Sequence, residues 1–150
     1  MIQMKKYLLI FALALMACVS CNKPELPEPE PQLVVNFTNT KGVWKLSQWK
    51  GEALPTGTFL YLKLDQKDKT FIIYDNLASI YGVKLTGRYN IVEDYVFGQV
   101  LTGEYDYTFE YWSHDYAVTS LTATKMELTA IDDKTEVSLY ERVDEIPGLE

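Results

Sequence analysis

An alternation of apolar and polar side chains recurs along residues 33–143 and limits the fold more than any other feature of the sequence. Leu60, Leu62 and Leu64 share one parity, for example, and a polar turn at residues 65–69 follows them. Because successive side chains of a β-strand point to opposite faces, a period of two predicts half-buried strands. The same region lacks the 3.6-residue periodicity of a convincing helix.

The β-prone segments follow one another at short intervals, with polar turns between them. Besides a first long strand around Trp44, they are residues 33–37, 60–64, 70–74, 83–91, 104–111, 125–130 and 136–143. Such regular spacing is typical of an antiparallel meander, and closure into a barrel removes the exposed edges of a long one. The sequence therefore predicts an all-β fold, an antiparallel up-and-down meander closed into a barrel of about eight strands.

The first 17 residues have the layout of a cleavable signal peptide. Lys5 and Lys6 make the start basic, and an apolar run at residues 7–16 follows. That run is too short to cross the hydrocarbon core of a membrane, for which a helix needs about 20 residues. Cys18 and Cys21, the only two cysteines of the chain, come directly afterwards. The folded domain predicted downstream is therefore free of thiols.

The residues before the first cysteine resemble the lipobox read by the lipoprotein-processing machinery of bacteria. Leu15 and Ala17 stand at positions −3 and −1 of Cys18. Cleavage before Cys18 and lipidation of that residue is one prediction, and cleavage before Cys21 is the alternative. A third interpretation is an ordinary secretory signal with two incidental cysteines. Lipidation implies a bacterial cell envelope, and we expect the outer membrane of a Gram-negative bacterium, with the chain anchored on its periplasmic or external side.

Between this segment and the first strands lies a stretch rich in proline and glutamate, NKPELPEPEPQ at residues 22–32. Proline favours extended polyproline geometry and the acids repel one another, so we predict a semi-rigid spacer about 30 Å long. The predicted organisation is a signal peptide at 1–17, a lipid anchor and spacer at 18–32, the barrel at 33–143 and a C-terminal tail at 144–150.

The charge of the chain bears on its partners. The formal net charge is −7, and removal of Lys5 and Lys6 with the signal peptide makes the mature chain more negative by two. Phosphates of nucleic acid or of an anionic membrane surface are repelled by such a domain. We therefore expect no nucleic-acid partner, and contact with the membrane only through the lipid anchor.

One pair of motifs carries a resemblance to a known family. Gly42, Val43 and Trp44 form a Gly-x-Trp on the first long strand, and Arg142 lies on the last. This resembles the lipocalin pattern, in which the arginine packs across the indole at the closed end of the barrel. Over residues 41–143 the chain is similar to small lipocalin-like lipoproteins of Gram-negative bacteria. The resemblance implies that Gly42, Trp44 and Arg142 close the barrel, which binds a small apolar or amphipathic ligand.

An aromatic stripe is the candidate ligand pocket. Tyr105, Tyr107, Phe109 and Tyr111 would stand about 6.6 Å apart along one face of a single strand. Their rings suit an apolar ligand and the tyrosine hydroxyls would provide polar contacts. The alternative is that the same rings fill a small barrel as its core.

A filled barrel favours a different function, that of a non-catalytic accessory subunit that docks on envelope proteins or glycans. Trp49, Tyr81 and Trp112 are then the contact candidates, because such side chains are favoured interface anchors. We do not expect an enzyme, since the consecutive side chains of Ser113-His114-Asp115 diverge rather than form a triad. We expect no cofactor and no metal ion, because the paired acids fall in predicted turns, where acids are common.

Overall fold

The structure, a computed structural model, describes residues 28–149. The predicted signal peptide, both cysteines and most of the spacer lie outside the described residues. Within residues 28–149 the chain forms one nine-stranded antiparallel sheet and a single-turn helix. In chain order the elements are α1 (Phe37–Thr40), β1 (Gly42–Trp49), β2 (Glu52–Ala53), β3 (Leu60–Asp65), β4 (Thr70–Asp75), β5 (Val83–Asp94), β6 (Gly98–Tyr105), β7 (Tyr116–Leu121), β8 (Lys125–Ala130) and β9 (Val137–Val143).

The sheet closes on itself. From β4 to β9 each strand pairs with its predecessor, and β1 pairs with β3 on one side and with β9 on the other. Eight strands thereby form a barrel, while the two-residue β2 is an extra strand on the end of β1. The predicted all-β meander, closed into a barrel of about eight strands, is confirmed.

The interior of the barrel is a single apolar core. In β5, Gly87 and Tyr89 are buried whereas Arg88 and Asn90 are exposed, as the alternation predicts. The buried members of the core are Trp44, Leu46, Leu62, Leu64, Phe71, Tyr89, Leu101, Trp112, Leu121, Met126, Leu128 and Tyr140. Burial of side chains of this size is the main favourable term that holds such a barrel together.

The prediction of a strand at residues 33–37 is wrong. Asn36 caps a helical turn instead, since its side-chain oxygen accepts a hydrogen bond from the Asn39 amide at 2.8 Å, and α1 follows. Leu33, Val35 and Phe37 pack against the core. The alternating apolar residues therefore cover one end of the barrel rather than adding a strand.

The end of the predicted spacer is bound to the barrel. Glu30 accepts hydrogen bonds from the hydroxyl and the amide of Thr124, at 2.6 and 3.2 Å. The side-chain oxygen of Gln32 accepts from the Leu121 amide at 3.1 Å. The last residues of the spacer are thus fixed beside the β7–β8 turn.

The predicted C-terminal tail packs on the outside of the barrel. Ile146 is buried together with Val43 and Tyr61, whose side chains point outward from β1 and β3. Residues 144–149 therefore cover an apolar patch of the outer wall.

Candidate binding site in the barrel mouth

One end of the barrel is plugged by α1, and we call it the closed end. The indole Nε1 of Trp44 donates to the carbonyl oxygen of Thr40 at 2.8 Å. The ring of Phe37 packs against that of Tyr89 with a centroid distance of 5.5 Å. The turns β3–β4 and β7–β8 lie at this end, as does the described start of the chain.

Arg142 holds the closed end together. Its guanidinium carbon lies 4.0 Å from the centre of the Trp44 ring, in the arrangement that the family resemblance implies. The same group donates to three backbone carbonyls, those of Ala123 at 2.7 Å, Lys41 at 2.6 Å and Asn39 at 2.9 Å. A single side chain therefore ties β9 to the end of α1 and to the β7–β8 turn.

Gly42 has a specific reason to be glycine. Its φ is +121°, which is unfavourable for any residue with a Cβ, and a Cβ there would lie 2.6 Å from the Nη1 of Arg142. In the Gly-x-Trp pattern, Gly42 leaves the space through which the guanidinium of Arg142 reaches the indole of Trp44. These contacts give Gly42, Trp44 and Arg142 a structural role.

The opposite end, which we call the mouth, contains a cavity of about 200 Å³. Asp75 lies at the end of β4, Tyr105 at the end of β6 and Tyr116 at the start of β7, so the strands themselves position the polar groups. The cavity is lined by Leu60, Leu62, Ile73, Asp75, Leu85, Tyr105, Trp112, Ser113, Tyr116, Leu128 and Tyr140. Its walls are mostly apolar, with tyrosine hydroxyls, one serine and one carboxylate among them.

A second cavity, of about 250 Å³, adjoins the first and shares Leu60, Ser113, Tyr116 and Tyr140 with it. Each one alone is smaller than the roughly 300 Å³ of a small ligand pocket, and the four shared lining residues place the two side by side at the mouth. The interior is therefore packed at the closed end and open at the mouth.

The three tyrosines of the mouth are held in their neutral form. Burial raises the pKa of Tyr105, and the nearby Asp75 carboxylate adds to the shift. Burial also raises the pKa of Tyr116 and most strongly that of Tyr140. Their hydroxyls therefore act as hydrogen-bond donors and acceptors at neutral pH, without charge.

The charged groups around the second cavity are paired. Glu136 is buried, accepts a hydrogen bond from the indole of Trp49 and lies 2.8 Å from the Lys50 ammonium. His114 contacts Asp132 through Nδ1 at 2.8 Å. These contacts stabilise the turns around the mouth.

The predicted aromatic stripe is not one face of one strand, and that prediction is wrong. Strand β6 ends at Tyr105 and the chain reverses, with a positive φ of 53° at Phe109. Only Tyr105 lines the cavity, while Tyr107, Phe109 and Tyr111 are exposed by 87, 78 and 71%. An alternation of acids and rings is compatible with an exposed hairpin tip as well as with a buried strand.

Trp112, a candidate surface contact whose alternative was core packing, lies in the interior. Its ring packs edge-on against Phe71, with centroids 5.0 Å apart, and covers the backbone of Gly103, where any Cβ would lie 2.1 Å from it. With only 9% of its surface exposed, Trp112 is excluded as a surface contact. The Trp112 amide donates to the carbonyl oxygen of Gly103 at 2.8 Å, so the turn at residues 104–111 places Trp112 opposite Gly103. A glycine and a tryptophan flanking that turn are the sequence signal that could have located it.

Exposed apolar side chains surround the mouth. Ile80 and Tyr81, in the loop at 76–82, are exposed by 86 and 74%, and the hairpin tip at 106–111 lies beside them on the neighbouring strands. We call these two loops the rim. Of the proposed surface contacts, Tyr81 lies on the rim and Trp49 is half-exposed near it.

The described residues also bear on metal binding, on the surroundings of His114 and on membrane spanning. Within residues 28–149 no three His, Cys, Asp or Glu side chains are grouped so as to hold a metal ion. The His114 ring contacts Asp132 rather than its neighbours Ser113 and Asp115. Within residues 28–149 no helix has the length and apolar character needed to cross a membrane.

Comparison with known proteins places the fold but not a family. No protein-family model matches the chain, and no curated protein matches it. A protein of Bacteroides uniformis ATCC 8492, solved by NMR, is similar in structure with a TM-score of 0.55 and 18% sequence identity. The match covers 74% of this chain and 94% of the other. At this identity the comparison shows that the two chains share their fold.

Proposed function

We propose that this chain is a lipid-anchored lipoprotein of a Gram-negative envelope whose lipocalin-like barrel binds a small apolar or amphipathic ligand in its mouth. The observation that carries the proposal is the pair of adjoining cavities, open at one end of an otherwise packed barrel. Apolar walls with a few convergent polar groups are typical of ligand pockets. In this proposal the protein is a carrier or sensor rather than an enzyme.

The position of the first described residues supports an anchored carrier. Glu30 and Gln32 are bound to the β7–β8 turn, at the closed end. A lipid on Cys18 or Cys21 would therefore hold the closed end nearer to the membrane and leave the mouth facing away from it. Ligand would then enter from the aqueous side.

Binding is tested with N-phenyl-1-naphthylamine, a neutral dye whose fluorescence rises in apolar surroundings. We expect saturable binding with a stoichiometry of one. Leu60 lines both cavities, so Leu60→Trp should abolish binding by filling the shared space. Val92→Trp is the matched control, because Val92 is exposed on β5 away from the mouth. The pocket proposal fails if the dye does not bind, or if it binds the two variants alike.

Anchoring is tested in cells. Cys18→Ser and Cys21→Ser are compared by membrane fractionation and by the mass of the mature chain. One substitution should release the protein from the membrane and remove the mass of the lipid, while the other changes neither. Retention of the membrane-bound form in both single variants and in the double variant would refute the lipid anchor.

A second function is favoured by one observation, the exposed apolar side chains of the rim. Under this alternative the rim docks the protein on another envelope protein or a glycan. A photo-cross-linking residue at Tyr81, on the rim, is compared with one at Tyr95, which is fully exposed on the β5–β6 turn. A discrete, stoichiometric adduct in intact envelopes from Tyr81 but not from Tyr95 would support docking, and equal labelling would contradict it.

A further inference from the structure

We infer that the mouth selects its ligand by charge, taking neutral or cationic amphiphiles that carry a hydrogen-bond donor and rejecting anionic ones such as fatty acids or alkyl sulfates. This inference rests on the proposed binding function and names the ligand class for that site.

The deciding residue is Asp75. It has the same parity as Phe71 and Ile73 on β4, so it occupies a position that faces the barrel interior, and it lines the first cavity. Interior-facing positions of a barrel are normally apolar, because a carboxylate loses hydration there. A charged group at this position is therefore informative about what the cavity accepts.

No basic side chain offsets this charge inside the cavity. The residues that line the first cavity include no lysine, arginine or histidine. Across residues 28–149, no lysine, arginine or histidine nitrogen lies within 4.0 Å of the Asp75 carboxylate, since the contacts of that kind there join Lys50 to Glu136 and His114 to Asp132. One Asp75 oxygen accepts a hydrogen bond from the Leu77 amide at 3.0 Å, which leaves the other oxygen for a ligand.

The second cavity does not reverse this balance. Its one basic lining residue, His114, is held by Asp132, and its buried Glu136 is matched by Lys50. An anionic head group would therefore meet the Asp75 carboxylate in the first cavity, and in the second cavity it would meet basic groups that already contact carboxylates. A donor such as an amine, amide or hydroxyl would instead bond to Asp75, and the tyrosine hydroxyls would accept or donate beside it.

The test uses two dyes of nearly the same shape. N-phenyl-1-naphthylamine is neutral, and 1-anilinonaphthalene-8-sulfonate differs chiefly by its sulfonate. We expect the purified protein to bind the sulfonate at least about 10-fold more weakly, because two like charges in close contact near a protein surface repel each other by more than a 10-fold change in affinity represents. Asp75→Asn should recover most of that difference, so that the ratio of the two affinities moves toward one.

Asp75→Asn keeps the oxygen that accepts from Leu77, so the loop should fold as before. Asp68→Asn is the matched control, because it makes the same change in net charge on an exposed turn at the closed end. Dodecylammonium and dodecyl sulfate, as competitors of the neutral dye on the unmodified protein, give a readout without any mutation. The cation should compete and the anion should not.

The outcomes separate the two proposals. Failure of the neutral dye to bind would refute the binding function itself. Binding of both dyes with equal affinity, or equal competition by the two detergents, would overturn charge selection while leaving the pocket in place. An equal gain in sulfonate binding from Asp68→Asn and Asp75→Asn would also overturn it, because the net charge of the whole protein would then explain the discrimination.

Discussion

Replacement of Arg142 by alanine should cost the barrel a large part of its stability. The substitution removes three hydrogen bonds from a charged donor to backbone carbonyls and the stacking on the Trp44 ring. Because water can replace part of these contacts at a half-buried site, we assign about 1 kcal/mol to each hydrogen bond and about 1 kcal/mol to the cation–π contact. The expected loss is about 3–4 kcal/mol, against about 5–15 kcal/mol for a whole domain.

The assay is urea unfolding followed by circular dichroism, with thermal unfolding as a second probe. A loss of this size corresponds to a melting temperature lower by about 10–15 °C. Arg88 is the only other arginine of the chain and is exposed on β5, so Arg88→Ala is the matched control and should change stability by less than about 0.5 kcal/mol. In a double-mutant cycle, Arg142→Ala and Trp44→Leu should show a coupling energy of about 1 kcal/mol.

The reasoning would be refuted if Arg142→Ala cost no more than Arg88→Ala. It would also be refuted if the coupling to Trp44 were zero, because the guanidinium would then not act through the indole. Either result would remove the physical basis for the family resemblance at the closed end.

Three further predictions concern packing and pH. Gly103→Ala should destabilise the barrel by about 1–3 kcal/mol in urea unfolding, because its Cβ would overlap the Trp112 ring. Stability should fall as the pH rises above about 10, because unfolded tyrosines then lose a proton that the buried Tyr140 retains. Urea midpoints at pH 8 to 11 check this, and Tyr140→Phe should reduce the loss. The hydrogen bonds from Thr124 lower the pKa of Glu30, so they favour its ionised form and hold residues 30–33 against the barrel. Glu30→Gln should therefore reduce the hydrogen-exchange protection of the Leu33 amide, which donates to Leu121. Acidification that protonates Glu30 should have the same effect.

The barrel could be predicted from the sequence because period-two patterning follows directly from strand geometry. Leu62 and Leu64 on β3, and Met126 and Leu128 on β8, are buried as their parity requires. The pattern failed at residues 104–111, where acids and rings also alternate. Periodicity reports which side chains share a face, but not whether anything covers that face, and here Tyr107 lies on an exposed hairpin tip.

The binding site was only partly predictable, for a related reason. Tyr105, one of the four predicted pocket residues, lines the first cavity, but its partners there, Tyr116 and Tyr140, come from β7 and β9. They meet only because β9 returns to pair with β1 and close the barrel. The place of Asp75 in the site could not be predicted from the sequence either. In the sequence it is only a polar residue at the end of a predicted strand, and the strand register of the structure shows that it lies on the interior face. Contacts set by ring closure cannot be read from local patterns.

The central claim is that the mouth, and not the closed end, binds a small neutral ligand. Titration of the ¹⁵N-labelled protein with N-phenyl-1-naphthylamine, followed by two-dimensional NMR, tests it most directly. We predict saturable shifts of the indole signal of Trp112 and the backbone amides of Asp75, Tyr105 and Tyr116, with the indole signal of Trp44 unchanged. Shifts centred on Trp44 and α1, or the absence of saturable shifts, would contradict the claim.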